Sequence, residues 1–278
     1  MGLFDPIRRW FAGTNTQILV PTSAPFAIDG LAPSSDAVPQ TPSFPYPLVT
    51  VHGREALATW SRLRKDTANW PVILGNDDDV AIIREGIEVI DERRPDEILA
   101  IASTLSFPAS LAALREADDR YAREWMRDHG HAEEDEEHYE PPLGDWPVNV
   151  APVGFTVTSE SLTGQFHERV HIAVMPCSTG WEAMAYLRWG SWNDNPAAEY
   201  HVAALKNWNE RFGAELVGCS HDVVNLHVAT RPATREAALD LAREQYLYCS
   251  DLIDQGTETL AALAGALMAD DWWYFWWD

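Results

Sequence analysis

The chain has 278 residues, 46% of them hydrophobic and 23% charged, with 43 acids against 20 bases for a net charge of −23. That composition supplies a packed core and excludes wholesale disorder, while so negative a balance excludes a protein that grips nucleic-acid phosphates. The longest apolar stretch, 260–269, falls well short of the ~20 residues of a membrane-spanning helix, so no membrane partner is expected.

Residues 21–47 carry seven prolines with Ser and Thr between them, and residues 1–45 read as a flexible, Pro-rich N-terminal arm, because proline fixes φ and removes a donor. Within that arm Leu3–Phe11 places Ile7, Trp10 and Phe11 on one side. Order is expected from Leu48-Val49-Thr50-Val51, a β-branched strand. A helix follows with Leu57, Trp60 and Leu63 one turn apart, then a second strand at Pro71-Val72-Ile73-Leu74. Gly75-Asn76-Asp77-Asp78-Asp79 supplies turn and cap chemistry and sets acids against free N–H groups. Val80, Ile83, Ile87 and Ile90 then repeat as an apolar helical stripe up to Pro95. Two more helices are predicted, one from Asp96 to Leu105 and one from Pro108 to Asp128, the latter with Leu114, Ala117, Tyr121 and Trp125 on one side. Residues 46–128 thus form an α-rich αβ module.

Residues 129–147 are dominated by acids and prolines and read as a self-repelling acidic linker. The C-terminal α+β domain, 148–278, begins with a strand at Val170–Val174. Asn195-Pro196 reads as a cap with proline at the first helical position, Ala198, Val202, Leu205 and Phe212 keep helical spacing, and Gly213 closes that helix. Glu215–Gly218 and Val223–Ala229 pair around the turn Ser220-His221-Asp222. Thr234 opens a helix with Leu239, Ala242, Tyr246 and Cys249 on one stripe, a further helix spans Thr257–Met268, and the chain ends in a strand. With the extra helix set aside, this β-α-β-β-α-β order predicts a ferredoxin-like C-terminal domain. Leu57–Gly75 and Leu205–Gly218 also echo each other as helix-then-strand units.

Several ordered motifs in 165–278 carry a family resemblance. They are Leu187-Arg188-Trp189-Gly190-Ser191-Trp192-Asn193-Asp194, Trp208-Asn209-Glu210-Arg211-Phe212-Gly213, Arg231-Pro232-Ala233-Thr234-Arg235-Glu236, Ala242-Arg243-Glu244-Gln245-Tyr246-Leu247-Tyr248-Cys249, Asp254-Gln255-Gly256 and Trp273-Tyr274-Phe275-Trp276-Trp277-Asp278. This region resembles the bacterial domain of unknown function 4253, and Tyr46–Gly75 resembles the front part of actinobacterial members. The resemblance implies a bacterial protein and transfers no activity and no catalytic residue.

Several constellations bear on function. His167-Glu168-Arg169-Val170-His171 matches H-E-x-x-H, but zinc needs both imidazoles on one helical face. A strand at 170–174 would separate His167 and His171 by about 13 Å, so the coincidental strand reading is preferred. His129, His131, the acids 133–137 and His138 read as a solvated linker. His221-Asp222 would need Ser220, Cys219 or Cys249 as nucleophile, and no nucleophile elbow or phosphate loop accompanies it. The six successive aromatics Trp272–Trp277 point three each way in a strand. The candidate binding residues are Trp189, Trp192, Asn193, Asp194, Tyr246, Tyr248, Asp251, Asp254, Gln255, Trp276 and Asp278.

Cys177, Cys219 and Cys249 form no C-x-x-C pair, and lysine is nearly absent beside arginine; a bacterial cytosolic setting is expected. The leading expectation is a non-catalytic, acidic protein-binding module, by analogy an immunity-type neutraliser of a basic protein partner, with no catalytic residue and no cofactor. The alternative is an enzyme or small-ligand binder with a pocket of aromatic and carboxylate residues in the C-terminal domain. Nothing in the sequence sets an oligomeric state.

Overall fold

A computed structural model describes residues 41–66, 68–129, 140–161 and 163–278. The strands β1 (Leu48–Val51), β2 (Trp70–Gly75), β3 (Val170–Met175), β4 (Glu215–Cys219), β5 (Val223–His227) and β6 (Trp272–Trp276) form one six-stranded sheet in the order β1-β3-β2-β4-β5-β6. Neighbours run antiparallel except β2 and β4, which meet in parallel at Ile73 and Gly218. These are the two strands that the sequence echo picks out.

The protein is a mixed α+β fold, and the ferredoxin-like order is not formed. In that arrangement the first strand of the domain would lie between the third and the fourth. Here β2, from the other side of the acidic connector, stands between β3 and β4, and β4, β5 and β6 follow as consecutive antiparallel neighbours. The sheet therefore draws strands from both 46–128 and 148–278.

Strand alternation sends two sets of side chains to two layers. Val72, Leu74, Met175, Leu216, Val224, Leu226, Trp273 and Phe275 are buried in one large cluster with residues of the helices. These helices are α2 (Asp77–Glu85), α3 (Pro95–Ala102), α4 (Ala109–Asp128), α5 (Gly180–Leu187), α6 (Ala198–Phe212), α7 (Arg235–Tyr248) and α8 (Leu260–Ala269). Ile73, Val170, Ile172 and Val217 face the other way, against Ala56 of α1 (Gly53–Leu63) and Val157. Asn225 fixes this second layer from inside the sheet, its Oδ1 accepting from Thr156 N, Thr156 Oγ1 and Val157 N.

The Pro-rich arm lies mostly outside the described residues, but its end is docked. Phe44 and Tyr46 pack edge to face, Tyr46 donates to the Tyr186 carbonyl, and the Pro47 carbonyl accepts from Val174 N. Residues 130–139, with His131, His138 and the acids between them, also lie outside. The rest of the linker is bonded to the body: the Pro142 and Leu143 carbonyls accept from Leu260 N and Ala261 N at the start of α8.

Local differences from the sequence reading have physical causes. α5 has no sequence counterpart in the expected order, because nearly every face of Gly180–Leu187 is apolar and no stripe marks it. The helix after Asn195-Pro196 starts later, at Ala198 with Ala197 as its cap, because the Asn195 side chain turns to His201 instead of the helix end. On α7 the buried stripe is Ala238, Leu241, Ala242, Gln245 and Tyr248, rotated from the expected one. Leu111 is the fully buried residue of α4, while Tyr121 is 70% exposed and Trp125 46%, so the second half of that helix projects from the body. The Val80–Ile87 stripe continues beyond α2 through a π-helical turn, Gly86–Ile90, and a second π-helical turn, Leu252–Thr257, precedes α8.

Candidate functional site

Four separated pieces of chain meet at a concave pocket of about 500 Å³. One wall is Ile82 and Ile83 of α2 with Gly86 of the π-turn. A second is the segment Leu187 to Trp192, a third is His221-Asp222 between β4 and β5, and the last is Trp276-Trp277-Asp278 after β6.

The 188–195 loop is folded tightly. Arg188, Ser191 and Asn193 have φ of 49°, 70° and 47°, and Gly190 has φ 115°. Left-handed backbone costs about 1–2 kcal/mol per non-glycine residue, so three in six residues persist because the surroundings fix them. Gly190 is required, since a Cβ there would collide with the Pro196 carbonyl and lie 2.8 Å from His201 Nε2. Beneath the loop His201 is fully buried, 2.6 Å from the Tyr248 hydroxyl through Nδ1 and 2.8 Å from Asn195 Oδ1 through Nε2. Asn195 Oδ1 can only accept, so Nε2 carries the proton and Nδ1 accepts from Tyr248. Burial pushes this imidazole down to about 3; a hydrogen bond with the Pro196 carbonyl opposes this, and the Arg115 charge adds to it. A neutral polar pin thus supports the aromatic wall, with Trp189 and Trp277 edge-on to His201.

Trp189 is buried, donates from Nε1 to the Ser220 carbonyl, and meets Trp192 and Trp277 at ring distances of 4.8 and 5.2 Å. Along β6 the aromatic run alternates as a strand must. Trp273, Phe275 and Trp277 are buried, while Trp276 turns the other way and donates to Asp222 Oδ2 at 3.1 Å. With burial of one such ring worth about 1.5–3 kcal/mol, Trp273 and Phe275 are core, while Trp277, also buried, backs the pocket wall.

The polar edge is a histidine held between acids. His221 Nδ1 lies 2.6 Å from Asp79 Oδ1 and 3.5 Å from Asp222 Oδ1. Asp79 is itself held: Oδ2 accepts from Asn76 N at 2.8 Å, closing the capping box of α2, and the missing Cβ of Gly75 leaves room for that carboxylate. The hydrogen bond to Asp79 raises the His221 pKa, burial opposes this, and the Asp222 charge reinforces it. Nε2 has no protein partner among the described residues. Below its raised pKa it offers a proton to the pocket; above it, Nε2 offers a lone pair while Nδ1–H still donates to Asp79. That is the equipment of a general acid or base.

Triad chemistry is absent from this arrangement. Ser220 Oγ donates to Asp222 Oδ1 and accepts from Val223 N, which makes it a turn hydroxyl. Cys219 and Cys249 are buried, and burial raises both thiols. His171 sits within β3 with Nδ1 on Thr50 Oγ1 and Nε2 on Asp77 Oδ1, so the H-E-x-x-H match is strand sequence, and His167 lies outside that strand. Among the described residues no cluster of three or more His, Cys, Asp or Glu could hold a metal ion.

Of the residues singled out by sequence, Trp189, Trp192, Trp276 and Asp278 line the pocket. Asn193, Asp251, Gln255, Asp254 and Tyr246 form an adjoining polar rim. The Asn193 amide donates to the Asp278 main-chain oxygen, and Asp278 N donates to Asp251 Oδ2. Gln255 donates to Asp251 Oδ1, and Tyr246 donates to Asp254. Burial raises the Asp254 carboxyl; Tyr246 opposes this, and the charges of Asp251 and Asp194 add to it. Asp194 is exposed beside Arg115 at 4.0 Å. Tyr248 is not at the site: it is fully buried under His201. Sequence reasoning missed Asp79, Arg188, Ile82, Ile83 and Gly86, carried Trp277 only as one of the six successive aromatics, and weighed His221-Asp222 only with a nucleophile. The Asp79–His221 contact spans 142 residues, and only the cap chemistry at Asp79 marked it.

Residues 171–278 match the family model of a domain of unknown function (DUF4253). The match runs from His171, within β3, to the last residue and leaves Asp79, Ile82, Ile83 and Gly86 outside it, so the pocket is lined by residues inside and outside the matched region. No curated protein and no solved structure matches the chain. Among the described residues no helix is long and apolar enough to cross a membrane.

Proposed function

We propose that the protein binds a small molecule in this pocket, with the Asp79–His221 pair as its proton-exchanging polar contact. One observation carries the reading: four indoles and a carboxylate-held imidazole from distant parts of the chain surround one space of about 500 Å³. That size, with apolar walls and few converging polar groups, suits a ligand with a ring or compact apolar body. A bacterial cytosolic setting accords with the three cysteines, all free and buried. The test is a tryptophan-fluorescence titration with a panel of single-ring compounds. Saturable quenching that Trp192→Ala abolishes supports the reading, and a panel without any saturable response removes it.

A second reading is the acidic protein-binding module, immunity-type, acting on a basic partner. It is favoured by the net charge of −23 and by Tyr121 and Met126, exposed on the projecting half of α4. A basic partner recovered from the native host, bound more weakly at high salt and by Tyr121→Ala but normally by Trp192→Ala, would support it. Retention insensitive to salt and to Tyr121→Ala would remove it.

A further inference from the structure

We propose that the pocket's ligand is an organic cation, an alkylammonium head on a small apolar body. This rests on the small-molecule reading above. The walls and the rim of the pocket ask for the same sign of charge by two independent routes.

The first route is the aromatic wall. Trp189, Trp192, Trp276 and Trp277 all line the space, and an indole face carries the negative lobe of its quadrupole. An ammonium group is attracted to such faces, a neutral ring gains only area, and an anion is repelled. The second route is the carboxylates. Asp222 and Asp278 line the same space, and Asp251 adjoins Asp278 through its main-chain N. Behind them Asp254 feels the charges of Asp251 and Asp194. Asp222 accepts one bond on each oxygen, from Ser220 and from Trp276. His221 Nδ1 also lies 3.5 Å from Oδ1, and since a carboxylate has room for about four, a site remains for a donor on Oδ2.

Two cationic groups, Arg188 and His221, also line the space, and each is held by a protein partner. Arg188 gives Nη1 to the Ile87 carbonyl and its charge acts on Asp91. His221 is bonded to Asp79, and Arg115 is occupied with the Asp194 carbonyl and carboxylate. Asp222 and Asp278 at the pocket, with Asp79, Asp251 and Asp254 behind them, outnumber Arg188 and His221, in a chain of net charge −23.

The experiment titrates the full chain with three probes of one shape class: benzyltrimethylammonium, benzyl alcohol and phenylacetate. Binding is read by calorimetry and tryptophan fluorescence. The cation is expected to bind about tenfold or more tighter than the alcohol, with phenylacetate weakest. Asp222→Asn should weaken the cation about tenfold and leave the alcohol unchanged. Because that variant also alters the β4–β5 turn, salt dependence of the unmodified protein provides a second readout: high salt should weaken the cation alone. Equal binding of alcohol and cation, or tighter binding of phenylacetate, overturns the cation assignment while the pocket reading stands. No saturable response to any probe overturns both.

Discussion

Lowering the pH from 7 to 5 should destabilise this protein through one residue, His201. Its imidazole is fully buried, donates to Asn195 and accepts from Tyr248, and no carboxylate is placed to receive a second proton. Its pKa is pushed down to about 3 from 6.5 by burial first; the Pro196 carbonyl opposes this and the Arg115 charge adds to it. The native state therefore refuses a proton that the unfolded chain takes up below pH 6.5. The contribution to stability is fully present above 6.5 and is lost as pH falls from 6.5 towards 3. Linkage gives a loss of about 2 kcal/mol between pH 7 and pH 5 from this group alone. His201→Gln keeps one donor and one acceptor and does not titrate. Urea denaturation of both proteins at the two pH values isolates the effect, since the other titrating groups are shared. The stability advantage of the unmodified protein should shrink by about 2 kcal/mol from pH 7 to pH 5. An advantage of the same size at both pH values would refute the reasoning. Should the variant not fold, NMR of the His201 ring in the unmodified protein answers the same question: protonation above pH 5 contradicts the assigned network.

Asp79→Asn should lower the His221 pKa relative to the unmodified protein, read from its ring proton shifts. His221 titrates above its unfolded value of 6.5, so its contribution is present below 6.5 and lost as pH rises through the raised value; the variant should therefore cost more stability at pH 6 than at pH 9. Trp208→Ala should cost about 3–5 kcal/mol in urea denaturation, because the ring is fully buried, stacked on Phe275 and edge-on to Phe107 and Tyr248. Gly190→Ala should cost about 2 kcal/mol or more and weaken ligand binding with it, since φ of 115° and the Pro196 carbonyl both exclude a Cβ.

Much of the element order was legible because it is written locally. The Leu48–Val51 strand, the caps at Asn76 and Thr234 and the left-handed close at Gly213 each follow from a few adjacent residues. Strand partners are not local: nothing in β-branched runs says that β2 inserts between β3 and β4, which is why a ferredoxin-like order could be expected and is not formed. Tyr121 and Trp125 sit at helical spacing yet project from the body, because spacing shows that a face exists and not that anything covers it. At the site, the Trp189–Trp192 segment and the terminal indoles were visible as a local aromatic density. Asp79 was visible only as a cap, and its role as the anchor of His221 required the fold to bring β2 beside β4.

The most direct measurement is an ¹H–¹⁵N NMR titration of the protein with benzyltrimethylammonium, following the indole N–H signals and the His221 ring. Saturable shifts confined to Trp189, Trp192, Trp276, Trp277 and His221 are predicted. Shifts that scatter over the surface, gather on the exposed half of α4, or fail to saturate would contradict the account.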